Sequence, residues 1–247
     1  MGGATPVLEA RRAAALGALL AGLAAWETFA GSLPDRGVAI DVAIAACLLI
    51  PATFATLWLA LPLAQAPRLP LVGLVLGLIA LALGLAELDG LFNVAKLAAY
   101  AVLGLWLAQL LELLSSVVII ALLVPFADAF SVWRGPTKEI VEGKPGLFDT
   151  ISISFRLPGE DGSANLGPPD VTFFALFLST AARHGLRVGW TWVSMTGLLS
   201  LTLVATAVFD LNGLPAIPAL AVGFLLPNAD LLWRALRRRG AEAPSLP

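Results

Sequence analysis

The sequence predicts an all-α fold, a polytopic bundle of transmembrane helices, and composition and patterning both lead there. Hydrophobic residues make up 59% of the 247 residues and charged residues 13%, whereas soluble domains have about 45–50% and about 25%. A soluble protein covers its surface with polar side chains, and this chain has too few of them. The apolar residues also collect in long runs, which is the arrangement that crosses a bilayer.

Eight apolar runs are long enough for membrane helices, which need about 20 residues each. They fall at about 13–30, 38–62, 70–88, 91–111, 113–133, 169–186, 188–210 and 214–233. The long polar stretch, 134–168, lies in a second module, 113–247, that follows the N-terminal transmembrane helices of 1–112. Most of the positive charges favour cytoplasmic termini and put this loop outside. Arg134 and Lys138 favour the opposite orientation, so both orientations remain open.

Composition also excludes several classes of partner and cofactor. The net charge is −2, and a nucleic-acid-binding protein needs a strongly basic surface. Cys47 is the only cysteine and His184 the only histidine, so an intrachain disulfide and a cysteine or multi-histidine metal site are excluded. The chain lacks a nucleotide-binding motif and a serine nucleophile elbow. We therefore expect no cofactor, no metal and no nucleic acid.

Ionisable residues inside the apolar runs are the first functional candidates, because a charge at the bilayer centre costs about 2.5–3.5 kcal/mol. Turn or interface positions suit most of them, and a pairing of Glu27 with Lys96 is open. The remaining members of this group are Asp41, Glu87, Asp89, Asp210 and Asp230.

Asp128 and Asp170 form the most informative pair. Asp128 lies near the end of one predicted span and Asp170 opens the next. The intervening loop returns the chain to the same membrane face, so both carboxyl groups are expected at a similar depth. Two carboxyls about 3 Å apart share one proton, so that one can activate a water while the other protonates a carbonyl. Taken singly, Asp170 also fits a helix N-cap, and Asp128 fits a bond to a neighbouring helix.

Three motifs in order resemble the presenilin and signal-peptide-peptidase family of intramembrane aspartyl proteases. Phe126–Trp133 resembles the family's Tyr-Asp segment, with Ala127 in place of Tyr. Gly167–Asp170 resembles Gly-x-Gly-Asp, with Pro169 for the second Gly. The segment 214–218 resembles Pro-Ala-Leu, with Ile217 for Leu. The basic Gly-Pro segment that starts at Arg134 favours the presenilin branch.

The resemblance implies a presenilin-like bundle of eight or nine spans that hydrolyses peptide bonds within or near transmembrane segments. Asp128 and Asp170 would be catalytic, and Gly167 would lie beside the substrate. The Pro-Ala-Leu-like residues would also bind substrate: Pro215, Ala216, Ile217 and Pro218. Tyr is missing at 127 and Gly at 169, which keeps an inactive, scaffold-like member of the family open.

Part of the inter-aspartate loop has the pattern of a half-buried strand. Ile151, Ile153, Phe155 and Leu157 alternate with polar residues, which is the period of a strand with one apolar face. We expect an edge strand here that captures an unwound substrate by β-augmentation. A hairpin that pairs only with itself is the alternative.

The expected partners are single-span transmembrane proteins or peptides and the lipid bilayer. The Ala-, Leu-, Gly- and Arg-rich composition suggests a microbe with a GC-rich genome, so we expect the microbial plasma membrane. A transporter or channel, in which Glu27, Asp41, Lys96 and Asp128 line an ion path, is the alternative from a different functional class.

Overall fold

The computed structural model describes residues 6–134, 150–159, 163–209, 211 and 214–242, which form a helical bundle with one β-hairpin. The helices are α1 Pro6–Phe29, α2 Val38–Ile44, α3 Ile50–Ala60, α4 Leu69–Leu85, α5 Asp89–Leu110, α6 Leu114–Arg134, α7 Pro168–Arg183, α8 Val188–Val208, α9 Ile217–Leu225 and α10 Ala229–Glu242. A π-helical turn, Ala45–Leu49, joins α2 to α3, and a 3-10 turn, Leu226–Asn228, joins α9 to α10. The strands β1 (Ile153–Arg156) and β2 (Ser163–Leu166) lie in the inter-aspartate loop and pair antiparallel.

Each of the eight predicted apolar runs coincides with a helix or with two joined helices. Six helical stretches in the described part of the chain are long and apolar enough to cross a membrane: Val7–Ser32, Val38–Gln65, Asp89–Leu110, Leu114–Ser131, Val188–Val208 and Ile217–Arg237. The helices α4, with 17 residues, and α7, with 16, are shorter. The predicted helical, multi-pass membrane architecture is confirmed apart from the added β-hairpin, while the number of spans and the presenilin-like arrangement stay predictions.

The outer helices present apolar side chains to their surroundings. Leu74, Leu78, Leu81 and Leu85 on α4 are all exposed. An apolar surface of this extent is unfavourable in water and is suited to lipid.

Helix α7 lies at the centre of the bundle, and this position places Asp170. Five large side chains of α7 have at most 1% of their surface exposed: Val171, Phe174, Leu176, Phe177 and Leu178. Phe174 stacks on Phe54 of α3 at 4.0 Å between ring centroids, and Phe177 stacks on Phe224 of α9 at 4.9 Å. Helix α5 also packs along α7, so the predicted N-terminal group and the second module share one core.

Gly104 allows α5 to pack closely against α7. A Cβ at this position would overlap the carbonyl oxygen of Thr172 and lie 2.7 Å from the Cβ of Ala175. Neither backbone nor a Cβ can rotate away, so any side chain here must push the two helices apart.

We expect Gly104→Ala to lower the stability of the bundle by about 1–3 kcal/mol, the usual cost of overpacking a core. Gly77→Ala is the matched control, because a Cβ at Gly77 of α4 meets nothing within 4 Å. Thermal unfolding in detergent should give a clearly lower midpoint for Gly104→Ala and an unchanged or slightly higher one for Gly77→Ala. Equal midpoints for the two variants would show that α5 and α7 are not packed as described.

Candidate active site

The N-terminus of α7 fixes the position of Asp170. Gly167 is the N-cap, and Pro168 and Pro169 occupy the first two helical positions, where a missing N–H removes no helical hydrogen bond. Asp170 is the third helical residue, and its Oδ2 accepts a hydrogen bond of 3.0 Å from the N–H of Gly167. Asp170 therefore supports the start of the helix from inside the first turn and is not itself the N-cap.

Asp128 projects from α6 towards the start of α9. Pro125 lies inside α6, one turn before Asp128, and removes one backbone hydrogen bond there. The Oδ2 of Asp128 accepts a bond of 3.0 Å from the N–H of Ile217, the first residue of α9. This contact is the bond to a neighbouring helix that the sequence left open as a structural role.

The predicted substrate-binding segment lies at the end of the connection between α8 and α9 and at the start of α9. Residues 214–216 are not helical, and α9 starts at Ile217 with Pro218 in its first turn. Pro215 lies before the helix, and Ile217 is buried while Ala216 is partly exposed. Pro215 and Ala216 thus lead directly into α9, and the N–H of Ile217, the first residue of that helix, binds Asp128.

The two aspartates lie on helices that pack near the start of α9. Helix α9 packs against both α6 and α7, and α6 also touches α7. Asp128 is close enough to Asp170 for their charges to interact. Among the described residues, neither carboxylate takes part in a salt bridge. The structure therefore places the two acids within electrostatic range of each other, and no cation in the described part of the chain forms an ion pair with either.

A cavity of about 170 Å³ lies beside Asp170. That volume has room for several water molecules, each of which occupies about 30 Å³ in the liquid. The cavity wall combines Asp170, Ala216, part of the hairpin and one face of α8; its lining from the hairpin and α8 is Phe155, Ala164, Asn165, Leu166, Leu199, Thr202, Leu203 and Thr206. The same cavity is therefore lined by one candidate catalytic residue, by the segment before α9 and by the hairpin.

The pairing of the hairpin determines which edges it presents. Ile153 lies opposite Leu166, and Phe155 lies opposite Ala164. These four side chains share one face of the hairpin because opposite residues of a pair point the same way. Three of them are buried, namely Ile153, Phe155 and Leu166. The predicted alternation of apolar and polar residues in β1 is confirmed for Ile153 and Phe155, while Ile151 lies before the strand.

Side chains of α1 and α5 cover the outer edge of β1. The amide of Asn93 donates to the carbonyl of Ser154 at 2.9 Å and accepts from its N–H at 3.2 Å. Glu27 accepts from the N–H of Arg156 at 3.0 Å, and the indole of Trp26 donates to the carbonyl of the same residue at 3.1 Å. The backbone groups of Ser154 and Arg156 thus point away from β2, and those of Ile153 and Phe155 point towards it.

The expectation that β1 offers its edge to a substrate needs correction. That edge, on the strand that carries Ile153 and Phe155, is already bonded to side chains of α1 and α5. In the part of the chain that the structure describes, the sheet has two strands, so the side of β2 away from β1 carries no further strand. Ala164 and Asn165 of β2 line the cavity beside Asp170.

Sequence reasoning missed Trp26, Asn93 and Tyr100 and left Glu27 and Lys96 as an open pair. Lys96 donates to the carbonyls of Thr150 and Ser152, and Glu27 binds the N–H of Arg156, so each serves the loop backbone. A signal was present: Asn93, Lys96 and Tyr100 lie three and four residues apart, which puts them on one face of an otherwise apolar helix.

No family model matches the chain, and no curated protein is detectably similar to it in sequence.

Proposed function

We propose that the protein is an intramembrane aspartyl protease that hydrolyses peptide bonds within or near transmembrane segments, as its resemblance to the presenilin family implies. One observation carries the proposal: the carboxyl groups of Asp128 and Asp170 lie within electrostatic range of each other, with no salt bridge to either among the described residues, and Asp170 lines a cavity that Ala216 also lines. Asp128 and Asp170 are the proposed catalytic pair.

The chemistry requires one proton shared between the two acids. One carboxylate takes a proton from a water as the water oxygen bonds to the scissile carbonyl carbon. The other carboxylic acid gives its proton to the carbonyl oxygen. When the C–N bond of the resulting gem-diol breaks, the nitrogen takes the proton of one acid while a hydroxyl of the gem-diol gives its proton to the other carboxylate, so that the pair again holds one proton. The cavity beside Asp170 supplies room for the water.

A transmembrane substrate must first lose its helical hydrogen bonds, because the helix shields its amides. An extended segment can regain such bonds by adding to a strand edge. The side of β2 away from β1 is the proposed docking edge, since Ala164 and Asn165 lie on the cavity that Asp170 also lines.

The environment of Asp41 favours the transporter alternative. Its side chain is 1% exposed, and among the described residues neither carboxylate oxygen has a hydrogen-bond partner. Buried acids of this kind occur in ion and proton pathways. Glu27 and Lys96, by contrast, bind loop backbone, which removes two of the four residues proposed for such a path.

We expect Asp128→Asn and Asp170→Asn each to reduce cleavage of a labelled single-span substrate in liposomes by at least about 10²–10⁴-fold, the range for loss of acid–base catalysis. Asparagine keeps an oxygen that can accept from Ile217 or Gly167 but cannot exchange a proton. The substitutions therefore separate catalysis from support of a helix start. Glu112→Gln, at an exposed position between α5 and α6, is the control and should cleave normally.

The same liposomes distinguish the other functions. Full activity of Asp128→Asn would assign Asp128 a structural role and refute the two-aspartate mechanism. Ion flux without cleavage in the wild type would indicate a transporter, and substrate binding without either would indicate a scaffold.

Crosslinking tests the docking edge. In a Cys47→Ala, Asp170→Asn background, Ser163→Cys of β2 and Arg156→Cys of β1 place a thiol at two directly opposed positions. Adjacent strands lie about 4.8 Å apart, and a disulfide needs Cα atoms within about 7 Å. A substrate carrying one cysteine in its unwound segment should form a disulfide with Ser163→Cys and not with Arg156→Cys. Preferential capture by Arg156→Cys would move the substrate to the β1 side.

A further inference from the structure

The outer edge of β1 is bonded as though a third strand lay beside it. A neighbouring antiparallel strand bonds both the N–H and the C=O of every second residue. Asn93 provides both bonds for Ser154, while Glu27 and Trp26 together provide both for Arg156. Three side chains from two helices thus supply the four hydrogen bonds of a missing strand.

The anchorage continues along the segment before β1. Lys96 binds the carbonyls of Thr150 and Ser152, and the hydroxyl of Tyr100 donates to the carbonyl of Ile151 at 2.7 Å. Asn93, Lys96 and Tyr100 form one stripe on α5, so a single rigid helix holds the backbone from 150 to 154.

Two of these polar groups are buried beside the hairpin. Glu27 is 7% exposed and Asn93 8%. If the hairpin left its site, a carboxylate and an amide would lose their backbone partners inside an apolar bundle. Buried polar groups without partners are strongly unfavourable. The hairpin is therefore held in place by the surrounding helices, whether or not a substrate is present.

We propose that Trp26, Glu27 and Asn93 are positioning residues that replace a third strand and keep β2 at the cavity edge before a substrate binds. The inference rests on the proposed protease function for its role in cleavage. They close the outer edge of β1 to pairing and keep β2, the strand whose Ala164 and Asn165 line the cavity, in position. They also spare the substrate the cost of ordering the hairpin, which raises its apparent affinity.

Asn93→Leu tests the proposal, because leucine is similar in size to asparagine and makes neither bond. Gln109→Leu is the matched control: Gln109 lies on the same helix and donates to the carbonyls of Ala64 and Ala66, away from the hairpin. Glu27→Gln is the conservative variant, since its amide oxygen still accepts from Arg156. Trp26→Phe removes only the hydrogen bond to the carbonyl of Arg156 and is the replacement test variant if Asn93→Leu fails to fold.

Two measurements are made on the full chain in liposomes or detergent. Hydrogen exchange of peptides that cover 150–158 should be at least about tenfold faster in Asn93→Leu than in the wild type, since exchange follows local opening. The KM for a single-span substrate should rise about tenfold with kcat nearly unchanged, because the hairpin is in its binding position in a smaller fraction of the protein molecules. Gln109→Leu and Glu27→Gln should resemble the wild type in both measurements.

Unchanged exchange in both Asn93→Leu and Trp26→Phe would overturn the proposal. A fall in kcat at constant KM would also overturn it, because a group that orders the docking edge acts on binding. If the wild type cleaves no substrate, the protease proposal fails by itself. Hydrogen exchange then still decides whether the three side chains hold the hairpin.

Discussion

Every backbone N–H and C=O group inside a bilayer must find a partner within the protein, and this constraint shapes the centre of the molecule. Helices satisfy their own backbone groups, but the bundle also contains the non-helical residues before α9 and the hairpin between α6 and α7. In both places side chains supply the missing hydrogen-bond partners. Asp128 accepts a hydrogen bond from the N–H of Ile217, and Asn93, Glu27 and Trp26 form hydrogen bonds with the backbone along the outer edge of β1. The polar residues that seemed out of place in apolar helices thus match the irregular backbone.

The same constraint links the architecture to the proposed chemistry. Asp128 and Asp170 each accept one backbone N–H through Oδ2, and each of these bonds supports the beginning of a helix. A carboxylate held in this way has a fixed position and still has a second oxygen. The two helix starts thereby fix one oxygen of each acid, and such preorganisation is what the proposed acid–base catalysis would need. A structural role for Asp128 and a catalytic one are compatible.

The sequence predicted what depends on local pattern and missed what depends on distant contacts. The apolar runs predicted the helices, and the alternation at Ile153 and Phe155 predicted a strand, because both patterns repeat over a few neighbouring residues. The choice of strand edge depends on Glu27 and Arg156, which are 129 positions apart. Nothing local to either residue specifies that contact. Asp128 and Asp170 could be selected because charge in an apolar run is costly, but the bond from Ile217 to Asp128 needed the fold.

Two of the three departures from the presenilin-like motifs, Ala127 and Pro169, can be assessed from their positions in the structure. Pro169 occupies the second position of α7, where an N–H has no partner in the helix, so proline fits this turn without losing a bond. Ala127 is exposed on α6, so the small side chain leaves no hole in the packed core. Neither substitution disturbs the hydrogen bonds that hold the two aspartates. The departures therefore give little physical support to an inactive scaffold, and the strongest remaining argument against the protease is the unpartnered Asp41, which the proposed mechanism does not use.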